Sequence, residues 1–202
     1  MLRRHIAEFE LSPFLPQIDD LPWNLTLALP DILERLLPGL TPGFSVRDGV
    51  AVHRDAIIEA GAVVKGPAII CGGCFVAAGA YLRGGVFLDD GCTIGPGCEV
   101  KSSILFAATR LAHLNFVGDS ILGADVNCEA GAVIANFRNE RGDRRIRIRH
   151  GDAIIDTGSE RFGALVGDGA RIGANAVIAP GAILAPGTVV GRLALVDQSP
   201  EA

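Results

Sequence analysis

The stretch Val166-Gly-Asp-Gly-Ala-Arg-Ile-Gly-Ala-Asn-Ala-Val-Ile-Ala-Pro-Gly-Ala-Ile183 states one six-residue pattern three times. An aliphatic residue stands at Val166, Ile172 and Ile178. A small residue follows four places on, at Ala170, Ala176 and Ala182, with Gly169, Asn175 or Gly181 just before it. Each unit reads as one short strand and one tight turn. Three units close a triangular coil of about eighteen residues. The aliphatic residue points inward and stacks on its equivalents, and the small residue fits the crowded corner.

The same period runs outward from this stretch. Ile172 continues to Leu184 and Val190, and upstream Leu122, Cys128 and Ile134 keep it. The longest run starts at Val46 and steps by six through Val52, Ile58, Val64, Ile70, Val76, Leu82, Leu88 and Ile94 to Val100. Val, Ile and Leu make up 55 of the 202 residues, so chance would fill about three of those ten places. Cys74, Cys92 and Cys98 take the small position and Cys128 an aliphatic one, so these cysteines read as packing residues. The expected fold is all-β, a parallel β-helix over residues 46–195. A short N-terminal appendage precedes it over 1–45, with one helix from about Thr26 to Leu37, and a tail follows over 196–202.

Composition agrees. Hydrophobic residues make up 49%, Gly is abundant at 26 and aromatics are only 5%, which suits a narrow stacked core. The net charge of −5 argues against a general polyanion binder, so no nucleic-acid partner is expected. No run approaches the length of a membrane span, and no apolar segment follows Met1-Leu-Arg-Arg in the manner of a secretory signal. Five cysteines without a zinc spacing read as reduced thiols of a cytoplasmic protein. His53, His113 and His150 lie too far apart in sequence for a three-histidine zinc site, and no metal is expected.

Function is expected where the period breaks. One break reads as a short loop over 106–115, the other as a longer Arg- and Asn-rich loop over 135–153. The first contains Ala112-His113-Leu-Asn-Phe-Val-Gly-Asp119-Ser120, the densest polar cluster. His113 is a candidate general base for an amine or hydroxyl, against the commoner structural role of a lone histidine. Arg83 and Lys101 are eighteen residues apart, one full coil, so they stack on one face. They form either a phosphate site or a solvated pair. Asn127 and Asn136 can orient a sugar hydroxyl or a carbonyl oxygen, or serve as turn residues. The six arginines from Arg138 to Arg149 read as a solvated loop in preference to a phosphate-binding one.

Taken together, His113-Leu-Asn-Phe-Val-Gly-Asp-Ser-Ile-Leu-Gly-Ala-Asp-Val-Asn127 and Glu129-Ala-Gly-Ala-Val-Ile-Ala-Asn136-Phe resemble the acetyltransferase half of bifunctional sugar-1-phosphate nucleotidyltransferase/glucosamine-1-phosphate N-acetyltransferases. The resemblance covers about residues 45–195, and Pro22-Trp-Asn-Leu resembles the segment that joins the two halves in archaeal-type members. It implies a left-handed coil, where parallel crossovers are otherwise right-handed. It further implies acetyl-CoA as co-substrate, an amino-sugar 1-phosphate as acceptor, and a homotrimer with sites between neighbours. His113 falls on the catalytic base, Arg83 and Lys101 on the phosphate-binding cations, and Asn127 on the sugar contact. Asn136 falls on the residue beside the acetyl group. Phe116 stands where the family has a phosphate-binding Tyr, and Phe137 replaces a second Tyr. Later acetyl-CoA contacts fall on Gly163, Ala164 and Ala174. No Gly-rich nucleotide loop precedes the repeats, so a separate nucleotidyltransferase chain is an expected partner. The competing expectation is a non-catalytic trimeric scaffold.

Overall fold

A computed structural model describes residues 1–14, 21–40, 42–151 and 153–200. Parallel strands stack in three faces around a single apolar interior, forming a β-solenoid consistent with the left-handed β-helix expected. The first face runs Val50–His53, Ala68–Ile70, the second half of Tyr81–Leu88, the second half of Glu99–Leu105, Ile121–Leu122, Ala164–Val166 and Ala182–Leu184. The second runs from Ile57–Ile58 through Thr93–Ile94, Arg110–Leu111 and Asn127–Cys128 to Val189–Val190. The third takes Val63–Val64, the first halves of the two long strands, Phe116–Gly118, Val133–Ile134, Val177–Ile178 and Leu195–Val196. Ile70, Val76, Leu82, Leu88, Ile94 and Val100 are buried as the period requires. Cys74, Cys92, Cys98 and Cys128 are buried and free. Burial, with the neighbouring Cys98 adding to it, pushes the Cys128 thiol up to about 12.

Two expectations for the repeats up to residue 115 change. Val46 is 52% exposed, because Phe44–Arg47 turns back as an antiparallel hairpin on Val50–His53 at the first coil. Asp48 and Gly49 supply the two positive φ values, 50° and 73°, that such a tight turn needs. There is also no loop over 106–115. Phe106 to Asn115 completes a coil, with Arg110–Leu111 as its strand. The period slips because two units lose one residue each. Leu82 pairs with Val100, but Leu88 pairs with Leu105 and Leu105 with Leu122. The missing residue comes from the corner between the third and first faces, where Ser102 and Asp119 turn sharply at φ 46°. A shortened corner and an extruded loop look alike in a six-step count.

The second break is a true insertion. The chain leaves the solenoid after Val133–Ile134 and rejoins it at Ala164–Val166, beyond the expected end at 153. It carries the hairpin Arg147–His150 with Ala153–Asp156. Ile146, Ile148 and Phe162 are buried against the first face. The loop arginines are mostly engaged: Arg138 with Asp197, Arg145 and Arg147 with Asp143, and Arg161 over the Phe137 ring.

The N-terminal segment covers the first face. Its helix, α1 (Pro22–Leu36), starts four residues before the expected point, with Pro22 at the first turn where a missing N–H costs nothing. Leu25, Leu29, Ile32 and Leu33 fall on one side at helical spacing. With Ile69, Phe87, Ile104, Ile121 and Leu165, the outward residues of the first face, they form one buried cluster. Phe14 lies edge-on to Phe87 and Trp23 edge-on to Phe162. Pro30 is tolerated inside α1 over Gly85, where a Cβ would come within 3.1 Å of the proline ring. Among the described residues no helix is long and apolar enough to cross a membrane.

Candidate functional site

The register of the solenoid sorts the candidate residues onto two edges of the third face. Leu82 and Val100 point inward, so Arg83 and Lys101, paired with each other in the ladder, point outward. They stand at the corner leading to the first face. Above them at that corner come Gly118, Asp119, Asn136 and Gly163, linked by the Asp119 N–H donating to the Lys101 carbonyl and the Gly163 N–H to the Asp119 carbonyl. His113 stands at the opposite corner, between the second and third faces. Its carbonyl accepts from Gly131, the Ala130 carbonyl from Asn175, and the Ala174 carbonyl from Leu193. Ala174 therefore lies two coils above His113 on one edge. Asn127 is outward on the second face beside that edge. It lines a groove of about 370 Å³ with Glu129, Arg171, Val189 and Arg192.

The first edge is a network of charges. Arg83 binds Glu99 at 2.6 Å, and Lys101 donates to both oxygens of Asp119 at 2.7 and 2.9 Å. The Asn136 amide also donates to Asp119 and is 7% exposed. Phe116 lies on the face between the edges with its ring over Gly118. A Cβ at Gly118 would sit 2.6 Å from the Asn136 amide nitrogen and 2.8 Å from the Phe116 ring. Gly118 is glycine because those two side chains fill its space.

The second edge is open. The His113 side chain is exposed, and its ring has no hydrogen-bond partner among the described residues. Its neighbour Asn115 is buried and structural: its amide donates to the Glu129 and Ala132 carbonyls, and its oxygen meets the Cys98 thiol at 3.4 Å. Glu129 ties this corner by accepting from the Ala174 N–H and pairing with Arg192, which holds its carboxyl below the usual range. Gly163, Ala164 and Ala174 all have their N–H groups engaged inside the chain, with Asp119, Ser120 and Glu129. The Ala164 side chain is in the core.

Glu99 and Asp119, the counter-ions of Arg83 and Lys101, were not among the sequence candidates as such. Asp119 lies one residue past Gly118, the ladder partner of Lys101, at a corner that a six-residue count misplaces. Elsewhere, Cys71, Asp89 and Asp90 bring ligand-type atoms within 4.8 Å of one another. Burial pushes the Cys71 thiol up, and the two aspartates add to it, so it stays protonated and a poor metal ligand.

No family model matches the chain. Over 69 residues it is 35% identical to a bifunctional sugar-1-phosphate nucleotidylyltransferase/acetyltransferase of Sulfurisphaera tokodaii, covering 34% of this chain and 17% of the relative. Over 103 residues it is 30% identical to the bifunctional protein GlmU of Methanococcus vannielii, covering 51% of this chain and 24% of the relative. A 39-residue stretch is 46% identical to the bifunctional protein GlmU of a Synechococcus species, covering 19% of this chain and 9% of the relative. The chain thus spans under a quarter of the length of these relatives. It is a β-solenoid whose sequence is similar, over part of its length, to bifunctional sugar-1-phosphate nucleotidylyltransferase/acetyltransferases.

Proposed function

We propose that the chain is an acyltransferase that moves the acetyl group of acetyl-CoA to the amine of an amino-sugar 1-phosphate, working as a homotrimer. The observation that carries this reading is the split of the candidate residues between two edges. A bare, exposed histidine stands on one edge and a stacked cation pair on the other, separated by the width of a face, about 10 Å for a three-residue strand. The amine and the phosphate of glucosamine or galactosamine 1-phosphate stand on adjacent carbons, closer together than that width. A second copy related by a closed rotation brings one edge against the other.

In this reading Arg83 and Lys101 anchor the phosphate, Asn127 orients the sugar, and Phe116 provides an apolar contact where a hydroxyl would have added a hydrogen bond. His113 takes a proton from the amine as the nitrogen attacks the thioester carbonyl. The carbon–sulfur bond then breaks, and the sulfur leaves with a proton as free CoA. Asn136 has one amide hydrogen committed to Asp119, which fixes its orientation and leaves the other for the developing oxyanion. Acetyl-CoA lies along the coils that carry Gly163, Ala164 and Ala174, which contribute shape more than backbone donors, since their N–H groups are already used.

The test is release of CoA on incubation with acetyl-CoA and glucosamine 1-phosphate or galactosamine 1-phosphate. Release no greater than that of His113→Ala sinks the proposal. The internal pairing of Arg83 and Lys101 favours a second reading, a non-catalytic trimeric scaffold or partner of a separate nucleotidyltransferase chain. Calorimetric titration with acetyl-CoA separates the two, because a scaffold takes up none.

A further inference from the structure

We infer that the anion site extends one coil toward the N-terminal end through Lys65 and Tyr81, so that an amino-sugar 1-phosphate whose phosphate bears a second phosphoryl group, as in a nucleoside-diphosphate amino sugar, is held more tightly than the bare 1-phosphate. The identity of the acceptor as an amino sugar rests on the acyl-transfer reading above; the charge argument does not.

Val64 pairs with Leu82, and the Lys65 N–H donates to the Leu82 carbonyl, so Lys65 stands beside Arg83 as Arg83 stands beside Lys101. The three cations form one outward column with steps of about 4.8 Å. Their surroundings differ. Arg83 is paired with Glu99 and Lys101 with Asp119. Among the described residues Lys65 has no carboxylate within ion-pair distance, and its ammonium lies 5.2 Å from the centre of the Tyr81 ring. The column therefore carries one uncompensated positive charge, and it sits at Lys65.

A monophosphate between Arg83 and Lys101 meets two cations whose charge is already matched. A diphosphate reaches further. Its two phosphorus atoms share one bridging oxygen and lie closer together than a coil step, so the first can rest at Arg83 and Lys101 while Lys65, on its flexible stem, takes the second. Tyr81 fills the space between, bracketed by Lys65 and by Arg83, whose guanidinium lies 5.8 Å from the ring centre. It stands two coils below Phe116 in the same outward column. Its hydroxyl supplies at the second phosphate the donor that Phe116 lacks at the first.

The experiment titrates UDP-glucosamine and glucosamine 1-phosphate separately into wild type, Lys65→Ala and Lys65→Arg by calorimetry, then adds acetyl-CoA and measures free thiol. Wild type should bind UDP-glucosamine about tenfold more tightly than glucosamine 1-phosphate, the size of one charge-assisted hydrogen bond. Lys65→Ala should collapse that ratio, and Lys65→Arg should restore most of it. Wild type that binds UDP-glucosamine no more tightly than glucosamine 1-phosphate, or a ratio that Lys65→Ala leaves unchanged, overturns the inference. Lys65-dependent binding of UDP-glucosamine without thiol release supports the diphosphate site and overturns acyl transfer alone.

Discussion

Gly118 shows how closely one residue is specified. It pairs with Lys101 in the ladder, and at that place the Asn136 amide and the Phe116 ring occupy the volume of a side chain. Gly118→Ala must push Asn136 away from Asp119 or tilt Phe116, while the inward neighbour Val117 is untouched. The expected result is CoA release reduced about a hundredfold, as for loss of one oxyanion donor, with the melting temperature within a few degrees of wild type. A variant that melts early and releases CoA normally when folded would show that Gly118 serves the coil and not the site. Asn115 is the contrasting case. It belongs to the most polar stretch of sequence, yet it is spent on the Glu129 and Ala132 carbonyls. Its burial and these hydrogen bonds distinguish it from the exposed His113, two residues away.

At the scale of elements, α1 and the inserted loop make different contributions. Leu29 is fully buried between α1 and the first face, and Leu29→Ala should cost about 2–5 kcal/mol in urea unfolding. A cost below about 1 kcal/mol would mean that α1 is not docked as described. The inserted loop is clamped by Arg138, whose side chain is only 4% exposed and which binds Asp197 and the Pro180 carbonyl. The Arg138 hydrogen bonds hold the Asp197 carboxyl below its usual range. A depressed carboxyl stabilises the fold above the unfolded value, near 3.9, and that contribution fades as pH falls through the folded value. Pepsin should therefore leave residues 135–163 intact at about pH 5 and cut them increasingly below about pH 4. Asp197→Asn should be cut at both. Equal cutting of wild type at the two pH values would remove the clamp from the account.

The whole molecule is where the catalytic proposal becomes testable without a ligand structure. With His113 on one edge and Lys101 on the other, the proposed site between neighbours draws one group from each copy. His113→Ala and Lys101→Ala are each expected to be inactive alone. Unfolded together and refolded as a mixture, they should regain up to about a quarter of wild-type CoA release, the share of sites in a randomly mixed closed ring that combine both intact groups. No recovery, with mixed oligomers demonstrated by mass spectrometry, would place His113 and Lys101 in a site on one chain or in none.

The six-residue period was legible because each inward position faces the same requirement coil after coil, and stacked aliphatics satisfy it in the same way each time. The ladder pairing of Arg83 with Lys101 followed from their spacing alone. The sequence by itself thus determined a parallel solenoid and the stacking of Arg83 on Lys101 one coil apart. Only the tertiary structure decided that the first break is two shortened corners, that Glu99 and Asp119 already hold the cations, and that His113 and Lys101 lie on opposite edges. The physical reason is that the period fixes what points inward. Outward side chains are placed by corners and partners, and a single missing residue at Ser102 or Asp119 changes these without disturbing the core.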